Sequence, residues 1–216
     1  MKLIIGNKAY SSWSLRGWLA AKQSGLPFEE EVVSMYDAAW ATRRETADFA
    51  PSGGKVPILW DGDVAAWNAL GIIHHLDAKT GGTRFWPVDA AARAFAASIA
   101  AEMQASFAAL RTHCSMNVRR HYSGWALHAD AVADVARVDA LWREGLARFG
   151  GPWLAGADYG AADILFAPVA SRFTTYDVRL SPAAEAYRAR AMAHPWVAEW
   201  VAEAHKEAWV LDQYEY

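Results

Sequence analysis

Residues 55–76, KVPILWDGDVAAWNALGIIHHL, constrain the fold of this chain more than any other stretch. Val56-Pro57 leads into a short apolar run, Asp61-Gly62-Asp63 turns it back, and a second short run leads into a helix. Asp-Gly between apolar runs supplies the positive-φ positions that a tight hairpin turn needs. Asn68 stands where the helix would begin, placed to accept a backbone N–H that the first turn leaves unpaired. Such a helix start carries partial positive charge and free donors, so it is also a place to hold an anion.

Upstream, Leu3-Ile4-Ile5 reads as a short buried strand closed by Gly6-Asn7. Ser11 or Ser12 is placed to cap a helix over 13–22, whose Trp13, Leu15, Trp18, Leu19 and Ala20 fit one stripe. Residues 28–33 read as a second strand and 38–47 as a short helix. Strands over 58–60 and 64–66 make the hairpin, and the next helix runs over 67–79. The order β-α-β-α-β-β-α describes an α/β unit over residues 1–79. Residues 80–88, TGGTRFWPV, make the linker.

Beyond it, residues 89–216 read as all-α. Residues 89–111 are Ala-rich without Gly or Pro and predict one long helix. Residues 130–149 predict another, ended by Gly150-Gly151-Pro152. A third runs over 161–171 with a kink at Pro168. Ser181-Pro182 opens a fourth, and His194-Pro195 separates it from a last helix over 196–209.

The bulk properties exclude several classes of function. The 216 residues suit one large domain or two small ones packed together. A formal net charge of -3 gives no basic field to recruit nucleic acid. No stretch approaches the roughly 20 apolar residues of a membrane span, and the apolar run at 3–5 is too short for a signal-peptide core. Cys114, the single cysteine, excludes an intramolecular disulfide and fits a reducing, cytoplasmic compartment. The seven histidines show no metal spacing along the chain, and there is no phosphate loop or nucleophile elbow. The expectation is no metal, no nucleic acid and no membrane.

Four motifs together resemble the soluble glutathione transferases. Ser11-Ser12-Trp13-Ser14-Leu15-Arg16 looks like the Ser-Ser-Cys-Ser-x-Arg run of the zeta class. Lys55-Val56-Pro57-Ile58-Leu59 with Asp61-Gly62 looks like the strand that bears a cis-proline in that family. Gly156-Ala157-Asp158-Tyr159 with Ala162-Asp163 resembles its helix-capping motif, and Pro195-Trp196 with Trp200 its last core helix. The resemblance covers nearly the whole chain. It implies a thioredoxin-like N-terminal domain, an all-helical second domain, a homodimer and glutathione as co-substrate.

Residue roles follow from the same resemblance. Ser11 would meet the glutathione sulfur, with Ser14, one turn along, as the other candidate. Lowering a thiol by about two pKa units from ~8.5 takes roughly 2.7 kcal/mol. A hydroxyl bonded to a charged group supplies ~1.5–3 and a helix N-terminus ~0.3–1, so the magnitudes are adequate. On the residue pattern alone Ser11 reads first as only an N-cap. Lys55, Val56 and Pro57 would hold the cysteinyl backbone, Trp40 would wall the peptide site, and Asn68-Ala69 would meet the γ-glutamyl end. In the helical half Met103, Phe107, Arg111, Met116, Asn117, Phe173 and Tyr176 are candidates for the substrate face. Arg119-Arg120 would attract an acidic substrate, though a paired Arg on a helix end reads first as a solvated face.

Three departures qualify the resemblance. Trp13 replaces the zeta-class Cys, which separates the chain from maleylacetoacetate isomerase. Gly160 replaces the Ser or Thr cap of the sixth helix, and Asn68-Ala69 replaces an acidic residue followed by Ser. The implied function is a transferase, detoxifying in character, using a Ser-stabilised thiolate on a small apolar or acidic electrophile. The reaction would be conjugation, isomerisation or dehalogenation. The alternative is a binding protein of the same fold with weakened or lost glutathione use.

Overall fold

The computed structural model describes residues 1–216. A four-stranded sheet is ordered β2 (Glu29–Val33), β1 (Lys2–Gly6), β3 (Ile58–Asp61), β4 (Val64–Trp67). β1 runs parallel to β2 and antiparallel to β3, which pairs antiparallel with β4 through the Asp61–Val64 turn. Both faces of the sheet are covered, which explains the unbroken apolar run at 3–5. Leu3, Ile5 and Leu59 pack toward α1 (Ser12–Ser24) and α3 (Ala69–Lys79). Ile4, Val33 and Ile58 face the other way, against Met35, Trp40 and Phe49.

The segment expected as a helix over 38–47 is one turn, α2 (Trp40–Arg43), followed by a 3-10 turn at Ala50–Ser52. Side chains compete with a longer helix here. Asp37 accepts from the N–H groups of Ala39 and Trp40, and Arg43 bridges Glu31 and Asp48.

The helical half comprises α4 (Ala90–Ala105), α5 (Ala108–His113), α6 (Ala129–Phe149), α7 (Ala161–Thr175), α8 (Pro182–Ala193) and α9 (Pro195–Ala204). The single helix expected over 89–111 is broken. Ser106 is extended and Phe107 takes a left-handed φ of 63°. Burial of Phe107 against Phe166 offsets a backbone cost of about 1–3 kcal/mol. The last helix stops at Ala204 rather than 209, and Glu207 beyond it accepts the N–H groups of Lys8 and Ala9.

Gly160 precedes α7 with no side-chain cap. A Cβ there would lie 2.9 Å from the Phe85 carbonyl oxygen, which accepts the Ala161 N–H at 2.8 Å. The missing Ser or Thr is therefore a matter of space as well as capping. Asp163 compensates by accepting from Leu154 N–H (3.1 Å), Gly160 N–H (3.0 Å) and the Tyr187 hydroxyl (3.0 Å). One apolar cluster of 45 buried residues runs from Leu3 to Trp200, so both halves share a core.

Candidate active site

A cleft of about 500 Å³ lies between the start of α1, the 35–56 segment and the helical half. Tyr10, Ser11, Ser12, Trp13, Trp40 and Val56 line it on the sheet side, and Arg111, Met116 and Arg172 on the helical side. A neighbouring hollow of about 380 Å³ shares Trp13, Lys55 and Val56 and adds Pro57, Trp67, Asn68 and Gln104.

Ser11 is the N-cap of α1, and its Oγ accepts the Ser14 N–H at 3.3 Å. The Ser11 and Ser14 hydroxyl oxygens lie 2.8 Å apart, and Ser14 Oγ accepts the Gly6 N–H at 2.8 Å. Ser14 is wholly buried, and its Oγ accepts the Ser11 hydroxyl as well as the Gly6 N–H. A buried hydroxyl left unpaired costs about 1–3 kcal/mol. Ser14 Oγ is paired by the Gly6 N–H and the Ser11 O–H, and rotation about the Ser11 Cβ–Oγ bond turns the Ser11 proton to the cleft when a stronger acceptor arrives there.

Across from Ser11, the Val56–Pro57 bond is cis. Val56 makes no backbone hydrogen bond within the chain, so its N–H and C=O are unpaired at the cleft wall. Lys55 and Trp40 line the same wall, joined by Arg44, which sequence reasoning missed. Asn68 caps α3, accepting the Gly71 N–H at 2.9 Å with a φ of 52°. Its Oδ1 is thereby used and its Nδ2 is unpaired. Ala69 is buried and offers only backbone. Gln104, from α4, accepts the Leu70 N–H at 3.4 Å beside this helix start.

The helical wall differs most from expectation. Arg111 reaches the cleft, its guanidinium 5.7 Å from the Trp13 ring, and Met116 lines it too. Met103, Phe107 and Phe173 are buried in the shared core and do not line the cleft. Tyr176 is also buried, its hydroxyl donating to Ser115 O at 2.8 Å. Asn117 is buried under the C-terminal segment, where its Nδ2 donates to Tyr214 O and Glu215 Oε1, both at 3.0 Å. Arg119 is drawn in under the C-terminal segment, while Arg120 stays exposed. Arg119 donates to Glu207 O and Trp209 O at 3.0 Å and to the Tyr10 hydroxyl, and Arg120 pairs with Glu215 at 2.5 Å. These residues seat the segment that brings Tyr214 to the cleft.

Arg172 and Arg16 had no signal as site residues beyond the family motif around Arg16. Arg172, on α7, donates Nε–H to Cys114 O at 2.8 Å and Nη2–H to Ser12 Oγ at 3.3 Å. Its Nη1 is buried without a partner. Burial, with Arg111 nearby, pulls its pKa down to about 10. Arg16 lies behind it, wholly buried, donating to Leu165 O at 2.7 Å and Ser12 O at 3.3 Å, with Nη2 unpartnered. Burial lowers its pKa well below the usual value, with repulsion from Arg172 and Arg111 adding to the effect. No carboxylate pairs with any of the three. Cys114 beside them is buried, and burial pushes its thiol up to about 11.

Residues 10–79 match the family model of the glutathione S-transferase N-terminal domain. Solved structures match over almost the whole chain. A glutathione transferase homologue from Burkholderia with bound glutathione is 19% identical with a TM-score of 0.70, over 95% of this chain and 98% of that one. A glutathione transferase from Methylococcus capsulatus is 24% identical with a TM-score of 0.67, over 95% and 99%. A bacterial zeta-class maleyl pyruvate isomerase is 19% identical with a TM-score of 0.69, over 94% and 98%. No curated protein matches by sequence. The chain carries a glutathione S-transferase N-terminal domain, and its fold as a whole is that of the glutathione transferases.

Proposed function

We propose that this protein is a glutathione transferase acting on a small electrophile that carries a carboxylate. The observation that carries the reading is Ser11, a helix-capping hydroxyl at the cleft, facing the unpaired Val56 backbone across it. The Val56 N–H and C=O pair with the cysteinyl unit of glutathione and bring its sulfur to Ser11. Ser11 O–H then donates to the thiolate, and the α1 N-terminus adds its partial charge. Trp40, Arg44 and Lys55 serve the glycyl end. At the other end Asn68 Nδ2 and the Ala69 N–H meet the γ-glutamyl carboxylate, with no acidic group for the ammonium.

The second substrate sits toward the helical wall. Trp13, Met35 and Met116 take its apolar body, while Arg111 and Arg172 take its carboxylate. A buried guanidinium with an unpartnered N–H is costly unless an anion completes it. The relative described as maleyl pyruvate isomerase supports this acidic class and a glutathione-assisted isomerisation. In either reaction the thiolate sulfur bonds to an electrophilic carbon. Conjugation retains that bond, and isomerisation breaks it again to return the thiol.

Calorimetric titration with glutathione tests the first half of the reading. No heat at millimolar ligand favours the binding-protein alternative, which the missing acidic side chain at Asn68 also favours. Turnover of a carboxylated electrophile tests the second half. We expect Arg111→Ala to raise its KM at least tenfold while leaving an uncharged electrophile unaffected, and equal effects on both would refute the acidic assignment.

A further inference from the structure

The sequence separates His113 from His128 and Asp130, but the fold gathers them on one face. His113 ends α5, His128 caps the start of α6, and Asp130 lies in the first turn of α6. The two imidazole rings stack, with centroids 3.7 Å apart and planes 5° from parallel. Asp130 Oδ2 lies 3.6 Å from His128 Nδ1 and 3.9 Å from His113 Nε2. One ligand atom of each residue falls within 4.8 Å of the other two.

We propose that these three side chains form a site for a borderline divalent transition-metal ion, Zn²⁺ above all, joining the end of α5 to the start of α6. Two imidazoles and a carboxylate are a donor set that such ions accept. Zinc bonds of about 2.0–2.2 Å at tetrahedral angles place donor atoms roughly 3.3–3.5 Å apart. The His–Asp separations are too long for direct hydrogen bonds, and to hold an ion the stacked rings turn so that their in-plane lone pairs converge, drawing the three donors in from within 4.8 Å. Asp130 pairs with no Lys or Arg that would compete for it. His128 Nδ1 accepts the Asp130 N–H at a long 3.2 Å, a contact that the ion would replace. Side-chain exposures of 28% for His113, 51% for His128 and 71% for Asp130 give an ion a way in and leave its remaining positions to water.

The consequence reaches the cleft. Ser115 and Met116 of its wall lie on the segment whose two ends the ion would clamp. The test is calorimetry of untagged, chelator-stripped protein with zinc chloride. The expected result is one ion per chain and a zinc-dependent rise in Tm. His113→Ala and Asp130→Asn, both surface changes checked by far-UV circular dichroism, should each weaken binding at least tenfold. Cobalt substitution should give visible absorption bands that those variants lose. Absence of saturable one-to-one binding by about 100 µM zinc, or binding unchanged in both variants, would overturn the proposal.

Discussion

A serine hydroxyl has one proton to give and two lone pairs to accept with, and Ser14 uses both lone pairs. Its oxygen takes both the Gly6 N–H and the Ser11 O–H, which holds Ser11 in place until a thiolate in the cleft draws that proton to itself. Ser11→Ala should therefore lower kcat/KM by roughly 10- to 150-fold, equivalent to ~1.5–3 kcal/mol. Ser14→Ala should give a smaller loss together with a shift of the pH–rate profile to higher pH, because the thiolate ligand is less well oriented. It should also cost about 1–3 kcal/mol of stability through the unpaired Gly6 N–H. Steady-state profiles and urea melts separate the two effects. An unshifted profile in Ser14→Ala would remove its positioning role. The Ser-rich run was legible in the sequence, but the division of labour within it depends on Gly6, eight residues away, folding back onto Ser14. Nothing local encodes that.

Helix ends carry the next level of argument. Asp163 ties the start of α7 to two backbone N–H groups and Tyr187, and burial still pushes its carboxyl up to about 6. The fold thus keeps a proton that the unfolded chain releases near 3.8. This group's contribution to stability is full below that value and declines as pH rises toward about 6. Asp163→Asn should flatten that part of the stability–pH curve and cost about 1–3 kcal/mol, since an amide nitrogen cannot accept an N–H. Denaturant melts of both proteins between these pH values check the sign. At α3, Asn68→Asp with Ala69→Ser keeps the cap and restores an acidic side chain and a hydroxyl, so glutathione should bind about tenfold tighter or better by calorimetry. Although Ser181 Oγ makes no capping bond, the Asn68 cap and the helix start at Ser181-Pro182 were legible because such signals act within one turn. The break at Ser106–Phe107 was not. Alanine propensity favours a continuous helix there, and the opposing influence is the seat of Phe107 on Phe166, which lies 59 residues along the chain.

At the scale of the whole molecule, α1 is packed between the sheet and the helical half, and Arg16 reaches across to Leu165 O. With one core common to both halves, unfolding should be a single cooperative event. Far-UV circular dichroism and tryptophan emission should give coincident melts, and two separated transitions would contradict the shared core. The succession of strands and helices along the chain and the helical second half were readable from turn residues and periodicity, because those signals are short-range. Which helical side chains face the cleft was not readable, since facing follows from how α4, α5 and α7 are rotated and broken. Met103 and Phe173 turned inward, while Arg172, indistinguishable by pattern from any basic residue on a helix, came to the cleft. Trp13 occupies the centre of this arrangement, lining both hollows, with Arg16 4.5 Å and Arg111 5.7 Å from its ring. An indole close to two guanidiniums and lining two adjoining cavities is a built-in optical probe. Its emission responds to an anion arriving on either side, and the difference between the native protein and Trp13→Phe isolates that response from the other eleven tryptophans.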